Sequence, residues 1–447
     1  MERLYKIKRG LDLNLKGQAA LELVQVPAST LYALSPQDFQ GVIPKVVVKE
    51  GGLVKVGSPL FVDKATEKIN FVSPVSGVVK AIVRGERTKV LNVLVEADGK
   101  NESEKFEIRP NMDGCALKEL LLQSGLFAFI HQRPYDVTAG ANDTPKAIFI
   151  STFSKMPLAA DFDFVVKGNE TYFKKGVKAL SLIAEVNVGV SPSQATSALL
   201  PLEGAKIHIF DGPNPSGNVG VHINHVNPIN KGEIVWTIAP EVVVMIGKFL
   251  ETGNVDFTRR IAVAGSEVNT PQYYEVKVGA PLSDLLKGQL NSTEHKRIIA
   301  GNPLVGQKTD LNGFLPAQVS EVCVLPEGDD THELFGWIAP RFNQHSTSRS
   351  YFSWLMPKKE YAPDCRIKGG ERHMIMSSEY ERVFPMDIYP SYLVQAIITG
   401  DIDRQEMLGI YEVAPEDFAV AEYICSSKLE LQRIVREGLD LLKKENS

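Results

Sequence analysis

The chain has 447 residues, 44% of them hydrophobic and 23% charged, with a net charge of −5 and four cysteines. At roughly 100–200 residues per domain, that length calls for about three domains. The composition excludes collagen, low-complexity disorder and a disulfide scaffold. Mild acidity without Lys/Arg clusters argues against nucleic acid as a main partner. The most apolar stretch, 234–250, is interrupted by Thr237, Pro240, Glu241 and Lys248, so no segment reads as a membrane span. The first ten residues lack an apolar core after their basic ones and do not read as a secretory signal. No two cysteines form a CxxC pair, which points to a reducing compartment.

Residues 42–96 read as short β-branched strands punctuated by Gly and Pro: 46–48, the turn 49–52, Val54 and Val56, 59–62, 69–72, the turn 73–77, 78–83 and 90–95. This order resembles biotinyl/lipoyl-type domains, in which two similar β-halves form a flattened barrel. In carriers of that type a hairpin-tip lysine is lipoylated or biotinylated, and Asp63-Lys64-Ala65 resembles the lipoyl tip. However, Thr66-Glu67-Lys68 lengthens the hairpin, whereas a modifying ligase needs its lysine on a tight turn. Lys64 is therefore expected to be a solvated, unmodified side chain, with a lipoyl-type carrier kept as the alternative.

In the middle third, 146–151 and 206–210 read as buried strands, with helical spacing of Phe173, Val177, Leu180, Ile183 and Ala184 between them. Strand, helix, strand predicts a parallel, Rossmann-like α/β layer. A dinucleotide would need a glycine-rich turn at a helix N-terminus. The turn 211–220 matches no such spacing, and Pro213 and Pro215 remove backbone donors. It is expected to be a rigid structural loop. His222 and His225 have no companion ligand close in sequence and, if extended, face opposite sides, so a metal site is not expected. Pro240 to Leu250 reads as a helix with Pro240 in its first turn, Gly253 past its end and an apolar face toward the core.

From 256 to 325, strands at 260–265, 273–279, 297–304 and 319–325, with a short helix from Pro281, give a β-β-α-β-β order. This resembles the soluble-ligand-binding β-grasp domain, used for ligands or for contacts within assemblies, and a non-catalytic ligand-binding or docking protein is a further alternative.

The last fifth holds the strings Glu333-Leu334-Phe335-Gly336-Trp337, 377–388, Leu408-Gly409 and Glu416-Asp417-Phe418-Ala419. With Arg9-Gly10-Leu11-Asp12-Leu13 and Ala264-Gly265-Ser266-Glu267-Val268, they resemble the A subunit of the sodium-translocating NADH:quinone reductase. The resemblance runs in order along nearly the whole chain. It implies kinship in architecture with the NADH-binding flavoprotein subunit of complex I and with the C subunit of Rnf complexes. Those relatives carry a glycine-rich flavin loop, and the corresponding stretch here, 124–131, is bulky. They also carry C-x-x-C-x-x-C motifs, of which only Cys425 remains, and one thiolate holds no four-iron cluster. All four cysteines are expected to be buried and inert.

The resemblance thus implies a chain without cofactors of its own, with flavins and an iron–sulfur centre in partner subunits. It would be a peripheral subunit on the cytoplasmic face of the bacterial inner membrane, docked on membrane subunits, in a complex that oxidises NADH, reduces a quinone and exports sodium. No residue role carries over. A quinone headgroup needs an apolar slot with one or two donors, and the alternation of Phe127, Phe129, His131, Arg133 and Tyr135 places them on one face if the run is extended. Phe127, Phe129, His131 and Arg133 are the candidate quinone contacts, with His131 or Arg133 as the donor; the alternative is a packed aromatic plug with a surface arginine. No catalytic and no metal residue is expected. The expected units are 1–100 with the barrel-sandwich module, 101–255 as the α/β domain, 256–330 as the β-grasp module, and 331–447 as a mainly helical remnant of an iron–sulfur domain.

Overall fold

The computed structural model describes residues 3–197, 199–291, 295–329, 338, 340–347 and 349–446. The string Glu333 to Trp337 lies outside the described residues.

The centre is a seven-stranded sheet in the order Arg3–Lys6, Ala205–Asp211, Glu185–Val190, Ala147–Ser151, Val235–Ile238, Ile130–Arg133, Val137–Thr138. The first five run parallel, Ile130–Arg133 runs antiparallel to both its neighbours, and Val137–Thr138 returns to the direction of the first five. The inner strands are apolar runs because a parallel sheet is covered on both faces; in Ala147–Ser151 only the last residue escapes full burial. On one face the helices Glu170–Leu180 and Pro240–Thr252 lie backbone to backbone. A Cβ on Gly247 would stand 1.8 Å from Tyr172 O, and one on Gly176 2.2 Å from Val243 O, so only glycine permits this approach. Pro240 begins the second helix and Gly253, at φ 70°, ends it, as the sequence pattern predicts.

Chain order decides where this sheet opens. From Ala147–Ser151 the chain steps outward to Glu185–Val190 and Ala205–Asp211, then crosses back to Val235–Ile238 on the other side of its starting strand. The switch point therefore lies between Ala147–Ser151 and Val235–Ile238, where open α/β sheets leave a crevice beyond the carboxyl ends.

A barrel-sandwich unit is made of a four-stranded sheet (Leu31–Leu34, Val90–Ala97, Gly77–Arg84, Leu53–Val54) and a three-stranded one (Pro44–Val46, Pro59–Asp63, Asn70–Val72). Its centre holds Phe61 stacked on Phe71 at 4.7 Å, with Phe39 edge-on. A six-stranded sheet runs Gln307–Thr309, Lys296–Ala300, Glu321–Pro326, Thr258–Ala264, Gln272–Lys277, Ala20–Gln25. Thus residues 3–25, which precede the barrel in sequence, add edge strands to two other sheets. The helices Pro390–Ile398, Ile402–Met407, Ala419–Ile424 and Leu431–Glu445 share a core with the helix Val219–Val226 on the far face of the central sheet. Among the described residues, no helix is long and apolar enough to cross a membrane.

Candidate functional site

A cleft of about 420 Å³ opens at the switch point. Its floor is the carboxyl end of Ala147–Ser151, with Thr152 and Phe153, and that of Val235–Ile238, with Ala239 and Pro240. Asn218 and Val219, at the start of the helix Val219–Val226, close one end. Phe129, His131 and Arg133 form one wall together with Glu416 of the C-terminal unit, and Arg259, Asn302, Gln318, Ser320 and Glu321 of the six-stranded unit form the other. Three of the four residues singled out in the sequence meet here.

The fourth does not, and the reason is local. Gly125, at φ 79°, starts a 3-10 turn over Leu126–Phe129, so only Ile130–Arg133 is extended. The turn sends Phe127 into the core, edge-on to Trp236 at 5.3 Å. Phe129 packs between Phe39 and Phe257 and lines the cleft. His131 is half-buried, and its Nε2–H donates to Gln318 Oε1, whose amide donates in turn to Asp38 O at 3.1 Å.

Arg133 is no surface arginine: it is 1% exposed. Its Nη1 donates to Asp417 Oδ2 at 2.7 Å and to Glu412 O, and its Nη2 to Glu416 Oε1 at 2.8 Å. Burial works against its charge, but Asp417 and Glu416 outweigh burial and hold it protonated. Asp417 also accepts from Ala414 N at 2.9 Å, which caps its own short turn. Burial pushes the Glu416 carboxyl up to about 7 in spite of Arg133. Gly220 faces this pair: a Cβ there would stand 2.5 Å from Arg133 Nη1 and from both Asp417 oxygens.

The opposite wall holds a second buried arginine. Arg259 Nη1 donates to Ala317 O at 2.8 Å and Nη2 to Ser320 Oγ at 3.1 Å, with Glu241 3.8 Å away. Burial lowers its pKa, opposed by Glu241 and Glu321. Glu321 is itself buried and raised by that burial; it accepts from Ala160 N at 3.2 Å. Both arginines are thus committed to protein acceptors, while Asp136, Glu241, Glu321 and Glu416 all face the cleft. A pyrophosphate here would meet these carboxylates, with Gly217 as the one glycine of the lining.

The proline-bearing turn holds the chain's own N-terminal segment. Leu11 N donates to Asn214 O at 2.7 Å and Asn214 N to Asp12 Oδ1 at 2.9 Å. A Cβ on Gly10 would lie 2.2 Å from Asn214 O. His222 and His225 are helical, not extended. His222 stacks on Phe210 at 3.9 Å and donates to Ser216 O, and burial pushes its imidazole down to about 3. His225 Nδ1 is satisfied by Val221 O. No group of three or more His, Cys, Asp or Glu suited to a metal occurs among the described residues. The expectation of four buried thiols needs correction: Cys323 and Cys425 are buried, Cys365 is half-buried, and Cys115 is exposed because it stands in the first turn of the helix Gly114–Ser124, on its solvent side. Lys64 is exposed in the turn after Pro59–Asp63, where the Asp63 carboxylate accepts from Thr66 N and its hydroxyl.

Sequence reasoning missed Arg259 and Glu321, which stand at strand positions in an ordinary apolar pattern. It marked Glu416-Asp417 only as part of a string; an acidic pair just after Pro415 at a helix start was the available signal.

Fold and cleft together define a multidomain α/β protein with a barrel-sandwich unit and a switch-point crevice whose walls are unlike a phosphate cradle. Three family models match: the NqrA N-terminal barrel-sandwich hybrid domain over residues 5–98, the NqrA second alpha/beta domain over 112–255 and the NQRA C-terminal domain over 260–310. The A subunit of the Na(+)-translocating NADH-quinone reductase of Neisseria meningitidis serogroup B is 34% identical, over 99% of this chain and all of the relative. Those of Hahella chejuensis and Rhodopirellula baltica are each 33% identical, over 99% and 98% of this chain and 100% and 98% of theirs. A solved NAD+-reducing NiFe hydrogenase, in the H2-reduced state, aligns at 13% identity over 48% of this chain and 49% of its own, with a TM-score of 0.34, too low to support any inference.

The chain belongs to the family of A subunits of the Na(+)-translocating NADH-quinone reductases. It is one subunit of an oxidoreductase complex of respiratory electron transport coupled to sodium translocation.

Proposed function

We propose that this chain is a peripheral subunit without a redox cofactor of its own, docked on the membrane subunits at the cytoplasmic face, and that its switch-point cleft receives a quinone headgroup. In this reading the central sheet is a Rossmann-like layer, the six-stranded unit a β-grasp module and the C-terminal helices the remnant of a cluster domain. The units in this reading are 1–100, 101–255, 256–330 and 331–447, and the strands Arg3–Lys6 and Ala20–Gln25 join neighbouring sheets. Flavins and the iron–sulfur centre belong to the partners.

The observation that carries the reading is the cleft itself. It occupies the crevice where an α/β layer takes its ligand, yet its arginines are bound to protein carboxylates and carbonyls. A neutral ring suits such walls: Phe129 and Met156 give apolar surface, and the His131–Gln318 pair is the polar group within reach. His131 then turns its Nε2–H from Gln318 to a quinone carbonyl and Phe129 contacts the ring. Arg133 acts through Glu416 at the rim, and Phe127 supports Phe129 from the core. Photo-crosslinking a quinone analogue in the assembled complex tests this. Label is expected within 120–140, reduced in Phe129→Ala and His131→Ala; label found only outside 120–140 would refute the proposed site. An intact mass equal to that of the bare chain likewise closes the carrier alternative at Lys64.

A further inference from the structure

Composition over the whole chain shows no basic cluster, but one stretch departs from it. Residues 341–359 contain Arg341, Arg349, Lys358 and Lys359 and no acidic residue, in a chain whose total charge is −5. The same stretch exposes its large apolar groups. Phe342 is 55% exposed, Phe352 43%, Trp354 51% and Leu355 59%. Burial of such side chains is the rule, and a cluster of them in solvent marks a contact surface.

The stretch is a built knob. Phe342 stacks on Phe352 at 5.4 Å with rings 19° apart. The guanidinium of Arg349 lies over the Trp354 ring at 5.5 Å. Lys359 Nζ donates to Phe342 O at 2.8 Å, and Ser346 N to Ser353 Oγ at 3.0 Å. The knob is fastened to the N-terminal segment, where Asn14 Nδ2 donates to Pro357 O, Tyr361 N to Asn14 O and Lys16 N to Tyr361 O. Aromatic rings are therefore held outward with basic groups beside them.

We propose that residues 341–359 contact an anionic lipid surface. Trp, Phe and Leu with Lys and Arg is the composition that settles at the headgroup layer: the rings enter the acyl boundary and the cations meet lipid phosphate. A protein with a net charge of −5 is repelled by such a surface as a whole, so it approaches by a stretch rich in basic residues: over 341–360 the four cations face one carboxylate, Glu360. Sodium is translocated across a bilayer, and the inference rests on the proposed reading of this chain as a peripheral subunit beside it. The knob gives this protein its own membrane contact, besides its partner subunits, and orients it on the bilayer. The inference does not depend on quinone binding in the cleft.

Flotation of the purified full chain with phosphatidylcholine vesicles, with and without phosphatidylglycerol, tests it. Partition is expected into the anionic vesicles alone, lost as salt is raised, with a blue shift of tryptophan emission that Trp354→Phe removes. Arg349→Gln with Lys358→Gln lowers partition about thirtyfold, and Phe352→Ser with Leu355→Ser also weakens it. All four positions are exposed, and an unchanged unfolding midpoint confirms folding. Absent partition at low salt, equal partition into both vesicle types, or unaffected variants would each overturn the proposal. So would binding seen only to neutral vesicles carrying the membrane subunits, which would assign the knob to a protein partner.

Discussion

The two walls of the switch-point cleft solve one problem in opposite ways. Each carries a buried arginine on a strand, Arg133 on Ile130–Arg133 and Arg259 on Thr258–Ala264. Arg133 is met by two carboxylates from the C-terminal unit, and its charge is reinforced. Arg259 is met mainly by a carbonyl and a hydroxyl, with a carboxylate only at 3.8 Å, and its charge is weakened. Burial of the guanidinium alone does not fix the outcome; the charge and distance of the acceptors do. The first wall is thereby a lock between units distant in sequence, and the second is internal to the six-stranded unit and its neighbours.

The largest effect is expected where that lock is broken on one side. Arg133→Met leaves Asp417, 2% exposed, without its counter-charge, and is expected to destabilise the chain by about 3–5 kcal/mol in denaturant unfolding. Arg133→Met with Asp417→Leu removes both charges and is expected to recover most of that loss. A double variant as unstable as the single one would show that the wall is held by packing and not by the pair.

Arg259→Met is expected to cost less, about 1–3 kcal/mol, because it orphans the Ala317 carbonyl but no fully buried carboxylate paired to it at short range. A loss equal to that of Arg133→Met would erase the contrast between the walls. Gly220→Ala probes the first wall without touching a charge. Its Cβ would stand 2.5 Å from Arg133 Nη1 and the Asp417 oxygens, so a loss of about 1–3 kcal/mol by overpacking is expected.

The same contrast explains what sequence could convey. Apolar runs such as Ala147–Ser151 and the capped helix Pro240–Thr252 carry their signals within a dozen residues, and so does the barrel-sandwich order of strands and glycine turns. The partners of Arg133 lie 283 and 284 residues away, a separation at which no local pattern speaks. Nor does alternation reveal that Phe127 leaves the face shared by Phe129, His131 and Arg133, because one left-handed glycine at 125 winds the chain into a turn. The strands Arg3–Lys6 and Ala20–Gln25 illustrate the same limit: which sheet receives them depends on surfaces built 200 and more residues later.

Glu416→Gln separates the two partners of Arg133 and is the smallest change. In the folded chain the Glu416 carboxyl is raised to about 7, above its ordinary value near 4.5. Between those values the folded state holds a proton that the unfolded state has released, so stability contributed by this group falls as pH rises through the window. Below it both states are protonated and the slope vanishes. The glutamine variant has no such proton. The stability of the wild type relative to Glu416→Gln should therefore decline from about pH 4.5 to pH 7. The decline should be only about 1 kcal/mol, because the side chain sits at the solvent edge of the cleft, 39% exposed. A difference that grows with pH instead would mean that Arg133 outweighs burial and that Glu416 is ionised throughout. The first wall would then hold two full carboxylate charges against one guanidinium, and the contrast with Arg259 would be sharper still.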